Sequence, residues 1–216
     1  MRNFLFDLDG TLTNPFLGIT NSVIYALEKM GINPPPRSAL RKFIGPPLIS
    51  SFKKYYAMNE SDAETAVKYY REYFSDKGLF ENELFSGISA LLSDLKKNGK
   101  KIYLATSKPE EFAVKILEHF DILKYFDFIA GNTLSEARQT KEEVISYLLD
   151  SQLLLRSESV MIGDRKFDIL AGKEYSLKTV GVSFGFAEEN ELKNAGADYI
   201  ADSVADLRKI LLNIKK

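Results

Sequence analysis

From Lys101 onward the chain alternates short β-type runs with amphipathic helical stretches, and few folds accommodate that alternation. Lys101 to Ala105 reads as a buried strand. Pro109 then opens a helix whose Phe112, Ala113, Ile116 and Leu117 share one face. Phe126 to Ala130 reads as the next strand. Thr140-Lys141-Glu142-Glu143 has the Thr-x-x-Glu pattern of a capping box ahead of Val144, Ile145 and Leu148. Ser159 to Ile162 and Thr179 to Val182 are two further strands, and Tyr199 to Ala201 a short edge strand. A last helix carries Val204, Leu207, Ile210 and Leu211. Strands separated by helices predict a parallel sheet, because parallel neighbours need a long crossover, and crossovers of this kind are right-handed. The expected class is α/β, a Rossmann-like three-layer core. Such sheets gather their functional residues at the carboxyl ends of the strands.

Residues 16–84 break this pattern. Helical signals predominate there and strand signals vanish. Ile19 to Met30 is helical, and Asn33-Pro34-Pro35-Pro36 and Gly45-Pro46-Pro47 interrupt the chain. Ser61-x-x-Glu64 reads as a second capping box, starting a helix with Ala63, Ala66, Val67, Tyr70 and Phe74 on one side. The sheet domain resumes with a helix from Ile88 to Lys97, closed by Gly99. The expected organisation is therefore a core of residues 1–15 and 85–216 with an α-helical insert at 16–84. The insert is dense in aromatics: Phe43, Phe52, Tyr55, Tyr56, Tyr69, Tyr70, Tyr73 and Phe74. They read as its own core, the alternative being a surface that stacks on a ligand ring.

Composition removes several classes of function. The formal net charge is −1, so no global field draws the chain to nucleic acid or to an anionic membrane. Cysteine is absent, which excludes disulfides, thiolate catalysis and Cys-based metal sites. A single histidine, His119, makes phosphohistidine chemistry and multi-His metal sites poor candidates. No apolar run approaches the length of a membrane span, and the N-terminus enters a strand without a basic and apolar leader. The cytoplasm is the expected location.

The strand ends carry the chemistry. Phe4-Leu5-Phe6 runs into Asp7-Leu8-Asp9-Gly10-Thr11. Two carboxylates spaced i, i+2 repel each other unless a cation sits between them or one keeps its proton. The second strand finishes at Thr106-Ser107, and the strand from Ser159 finishes at Gly163-Asp164, followed by Asp168. Lys141 opens the helix before that strand. A parallel sheet brings these ends to one edge. Asp7, Asp9 and Asp164 together offer hard oxygen ligands suited to Mg²⁺. Thr106, Lys141 and the N–H groups after Asp9 suit an anion. An aspartate nucleophile with a second aspartate as acid and base would split phosphomonoester hydrolysis, one of the slowest uncatalysed reactions, into two easier displacements.

Through these motifs the whole chain resembles the haloacid dehalogenase-like hydrolase superfamily, and within it the phosphoglycolate-phosphatase-like group. Asp7-Leu8-Asp9-Gly10-Thr11 is similar to the family's first motif, which implies Asp7 as nucleophile and Asp9 as general acid/base. The resemblance also implies that the Asp9 main-chain carbonyl binds metal. Leu104-Ala105-Thr106 is similar to the second motif and implies phosphoryl binding by Thr106, with Ser107, Gly10 and Thr11 beside it. Lys141 takes the place of the third motif's lysine, although Glu142 stands where relatives often have proline. Gly163-Asp164 with Asp168 matches the fourth motif, implying Mg²⁺ bound by Asp164 and supported by Asp168. Asn14 departs from the aspartate many relatives carry. The insert is similar to the family's cap, which closes over the site and selects substrate.

The expectation is a Mg²⁺-dependent phosphatase acting on a small phosphorylated metabolite, as a monomer or homodimer. Phosphoglycolate is the substrate the resemblance implies. A nucleoside 5′-monophosphate is the rival, since an aromatic-rich insert offers rings to a base. A sugar-phosphate mutase and a non-catalytic phosphate-binding protein are further alternatives.

Overall fold

The structure is a computed structural model, and it describes residues 1–133, 138 and 140–215. Two compact units emerge: Met1–Asn14 with Leu84–Lys216, and Pro15–Glu83. In chain order the strands are β1 (Asn3–Phe6), β2 (Thr13–Asn14), β3 (Glu83–Leu84), β4 (Lys101–Pro109), β5 (Phe128–Asn132), β6 (Ser159–Gly163), β7 (Lys178–Val182) and β8 (Tyr199–Ala201). The helices are α1 (Phe16–Lys29), α2 (Leu48–Tyr56), α3 (Glu60–Tyr73), α4 (Ile88–Lys97), α5 (Glu110–His119), α6 (Lys141–Ser151), α7 (Lys166–Glu174), α8 (Glu191–Asn194) and α9 (Val204–Asn213).

Six strands form one parallel sheet in the order β5-β4-β1-β6-β7-β8. This central placement of β1 and β6 follows from their composition. Phe4, Leu5 and Phe6 of β1 and Val160, Met161 and Ile162 of β6 are wholly buried. Continuous apolar runs of this kind suit strands covered on both faces. Leu5, Tyr103, Ala105, Ala130 and Met161 pack against Val144, Ile145, Leu148 and Leu149 of α6 and Ala171 of α7. The pleat turns the intervening Phe4, Phe6, Ile102, Leu104, Val160 and Ile162 to the other face, where they are also buried. Two covered faces make the three-layer α/β architecture that the alternation implies.

Local differences from the sequence reading have physical causes. β4 does not stop at Ala105 but runs to Pro109, with a register irregularity against β5 between Ala105 and Pro109. Polar Thr106, Ser107 and Lys108 hide this extension from a reading based on apolar runs. Pro109 caps α5 with φ −55° and ψ 132° instead of opening its first turn. β5 starts at Phe128, not Phe126, because Leu123–Tyr125 close a 3₁₀ turn first. The capping box at Thr140 and Glu143 forms as expected.

In the helical unit, α3 is capped by Asn59, whose side chain accepts a 2.9 Å hydrogen bond from the Asp62 N–H. The Ser61–Glu64 box is therefore not used; a strong N-cap two residues earlier places Ser61 inside the first turn. The aromatics pack mainly on one another. Phe43 lies 5.1 Å from Phe52 and 5.6 Å from Tyr55 between ring centroids, and Tyr70 stacks on Phe74 at 5.4 Å. Phe43, Phe52, Tyr70 and Phe74 are buried, so these four belong to the unit's own core.

Candidate active site

The site assembles from the carboxyl ends of β1, β4 and β6. The Asp7 N–H continues the sheet past β1 by donating to the Ile162 carbonyl at 2.9 Å. That bond fixes Asp7 beside the end of β6, where Asp164 follows Gly163. Lys141, the first residue of α6, reaches into the same place. Its Nζ donates to Asp7 Oδ1 at 2.8 Å and to the Ala105 carbonyl at 2.9 Å. It also lies 2.8 Å from Asp168 Oδ1 as an ion pair. Asp7, Asp164, Asp168 and Lys141 are all buried.

Three carboxylates and one buried lysine leave an excess of negative charge. Carboxylate oxygens of Asp7, Asp164 and Asp168 lie within 4.8 Å of one another. Asp164 Oδ1 has no hydrogen-bond partner among the described residues, while its Oδ2 accepts from the Phe186 N–H at 2.7 Å. Burial, then the charges of Asp7 and Asp168, hold the Asp164 carboxyl well above the ordinary range. Burial likewise pushes Asp168 up to about 6, against the pull of Lys141. Lys141 is held above its ordinary value, because the attraction of Asp168 and Asp7 outweighs the effect of burial. An unpartnered buried oxygen in an all-oxygen donor set, short of positive charge, fits a hard divalent cation.

This arrangement predicts linked proton and cation binding. In the cation-free protein Asp168 titrates near 6, against about 3.9 in the unfolded chain. Its protonation stabilises the fold below about pH 4, and that contribution is lost as pH rises through about 6. A cation supplies the neutralisation above that window. MgCl₂ is therefore expected to raise the melting temperature more at pH 7.5 than at pH 5.0. Equal shifts at both pH values would contradict this electrostatic account.

Two glycines make room for the carboxylates. Gly10 has φ +87°, and a Cβ there would sit 2.1 Å from Asp164 Oδ2. A Cβ on Gly163 would sit 2.1 Å from Asp168 Cγ. The glycines of Asp-x-Asp-Gly and Gly-Asp are thus needed for packing the acids together as well as for turning the chain.

The phosphate-binding expectations are partly redirected. The Gly10 N–H donates to the Thr13 carbonyl at 2.7 Å and the Thr11 N–H to the Leu8 carbonyl at 3.2 Å. Both donors are consumed in the turn, so the expected anion-binding N–H groups after Asp9 are not the open ones. The Leu8 and Asp9 N–H groups, just before them, have no hydrogen bond among the described residues. The turn after β1 closes on itself through Gly10, and the sequence alone does not disclose which amides that closure uses. Thr11 Oγ1 is buried without a hydrogen-bond partner among the described residues. Thr106 is buried within the carboxyl-terminal half of β4, where its Oγ1 accepts from the Lys108 N–H at 3.2 Å, and Ser107 beside it is half-buried.

Asp9 stands apart from the other acids. Its carboxylate is not in the cluster of Asp7, Asp164 and Asp168. Instead Asp9 Oδ1 accepts from Lys108 Nζ at 2.8 Å. Burial raises the Asp9 carboxyl above its usual value, with Lys108 opposing. Lys108 belongs to none of the sequence motifs above. The available signal was a lysine directly after the polar strand end Thr106-Ser107 and before Pro109.

A family model for haloacid dehalogenase-like hydrolases matches residues 4–182. A Pseudomonas aeruginosa protein named 5′-nucleotidase is 44% identical over 97% of this chain and 95% of its own length. The tyrosine-protein kinase PtkA of Mycobacterium tuberculosis is 34% identical over 96% of this chain and 71% of its own. Among solved structures, a predicted phosphatase from Clostridium acetobutylicum has a TM-score of 0.95 and 47% identity, covering 99% of both chains. No helix among the described residues is long and apolar enough to cross a membrane.

Proposed function

The chain belongs to the haloacid dehalogenase-like hydrolases and is a phosphatase of that family, and from this premise we propose a Mg²⁺-dependent phosphomonoesterase that works through an aspartyl-phosphate on Asp7. The observation that carries this reading is the buried cluster of Asp7, Asp164, Asp168 and Lys141, with Asp9 held separately by Lys108. Asp7, Asp164 and Asp168 would hold the cation. When bound, Mg²⁺ offsets the negative charge of the acids and of the phosphoryl group.

The residues divide the work as follows. Asp7 attacks phosphorus through a carboxylate oxygen, and the bond to the leaving oxygen breaks in line. Asp9 delivers a proton to that oxygen; its burial favours the protonated form this step requires. Lys141, Thr106 and the open amides of Leu8 and Asp9 stabilise the phosphoryl oxygens. Asp9, now ionised, takes a proton from water. The water attacks phosphorus and breaks the bond to Asp7, restoring both aspartates and releasing inorganic phosphate.

For substrate, the relative named 5′-nucleotidase favours a nucleoside 5′-monophosphate over phosphoglycolate, the choice suggested by motif resemblance. A phosphate-release screen with both substrate types side by side tests the two together. The expected result is Mg²⁺-dependent release that is highest on a nucleoside monophosphate and is abolished by EDTA. EDTA-resistant hydrolysis would contradict the cation role, and preference for phosphoglycolate would contradict the substrate reading. Stoichiometric phosphate release, rather than an isomerised sugar phosphate, separates hydrolysis from mutase activity.

A further inference from the structure

Resting on the aspartyl-phosphate reading, we propose that Lys108 is a positioning residue for Asp9, holding its carboxylate at the leaving-group side of the site and out of the cation cluster. The two aspartates are only two residues apart, and their charges would otherwise compete for one lysine or one cation. The structure gives each its own cation: Lys141 Nζ is 2.8 Å from Asp7 Oδ1, and Lys108 Nζ is 2.8 Å from Asp9 Oδ1. The Lys108 side chain is 6% exposed and that of Asp9 14%, so water screens this pair poorly. A nucleophile and a proton carrier with separate anchors can act on opposite sides of one phosphorus atom.

The backbone around Lys108 is built to aim it. Lys108 lies within the irregular end of β4, between Ala105 and Pro109, where the register against β5 shifts. Its N–H donates to Thr106 Oγ1 at 3.2 Å, tying its direction to the hydroxyl proposed to bind phosphate. Its carbonyl lies so close to Gly131 that a Cβ there would be 2.6 Å away. Gly131 is in turn held by Glu110 Oε1, which accepts its N–H at 3.1 Å, and by Arg138 Nε, which donates to its carbonyl at 2.8 Å. Arg138 and Glu110 also pair with each other. A lysine serving only as a solvated strand-end charge has no need of this support.

The test compares phenyl phosphate with p-nitrophenyl phosphate, which are similar in shape but differ in how much the leaving oxygen needs a proton. Values of kcat/KM report the first, phosphoryl-transferring step. Lys108→Met is expected to lower kcat/KM on phenyl phosphate by about 10²-fold, with a loss at least about tenfold smaller on p-nitrophenyl phosphate. Lys108→Arg is expected to restore most of the phenyl phosphate activity, since it keeps the charge and supplies a donor to Asp9. Adding Lys108→Met to Asp9→Asn is expected to cost little more than Asp9→Asn alone. Equal losses on both esters, or a full additional loss in the double variant, would overturn the proposal and assign Lys108 to phosphoryl binding or to folding. Asp9→Asn alone serves as the control: if its loss does not depend on the leaving group, the acid role of Asp9 itself is wrong, which is a different failure.

Discussion

Asp7→Asn is expected to abolish turnover, lowering kcat by about 10⁴-fold or more, while the protein remains folded. The amide is close in shape to the carboxylate but is no nucleophile toward phosphorus. The fold should survive because Lys141 keeps its ion pair with Asp168 at 2.8 Å and its hydrogen bond to the Ala105 carbonyl at 2.9 Å. Removing one of three crowded acids also relieves repulsion, since Asp7 is among the charges that raise both Asp164 and Asp168. Steady-state kinetics with a thermal melt checks both halves. Activity near wild type would remove Asp7 from the chemistry.

Lys141→Met is expected to show two separate losses. Activity should fall by about 10²- to 10³-fold, because a charged donor to the phosphoryl oxygens is gone. Stability without a divalent cation should fall by about 3 kcal/mol at pH 7.5, since removing one partner of a buried ion pair strands the other charges. The stranded groups are acids, so protonation relieves them. The deficit should therefore shrink as pH drops toward 5, and MgCl₂ at pH 7.5 should recover much of it. Urea unfolding at the two pH values, in EDTA and in MgCl₂, measures this. A deficit unaffected by both pH and cation would mean that the Lys141 aliphatic stem matters through packing, not its charge.

The layout of this site was legible where the chemistry required a residue type at a strand end. Asp7, Asp164 and Lys141 come together because a parallel sheet aligns the ends of β1 and β6 and the crossover helix α6 starts beside them. The contribution of Asp168 comes from one helical turn after Asp164, and the glycine before that acid leaves it space. What the sequence left hidden follows one pattern: it depends on backbone closure. Gly10 and Thr11 look like free amide donors until the turn to Thr13 and Leu8 is seen. Lys108 looks like a solvated lysine until β4 is seen to continue past Ala105 and carry it to Asp9. Apolar periodicity reports where a strand is covered, not where its hydrogen bonding ends. In the helical unit, the choice of Asn59 over Ser61 as N-cap is a contest between two good caps two residues apart, which pattern alone does not settle.

In the proposed reaction Asp7 becomes covalently phosphorylated. The most direct measurement uses Asp9→Asn, which lacks the base for the hydrolytic step, mixed with p-nitrophenyl phosphate and Mg²⁺ and then quenched rapidly in acid. Borohydride reduction and peptide mass mapping then locate any acyl phosphate. The expected result is a burst approaching one equivalent of p-nitrophenol and a reduced side chain at Asp7. Release of p-nitrophenol with no modified residue, or modification at a residue other than Asp7, would contradict it.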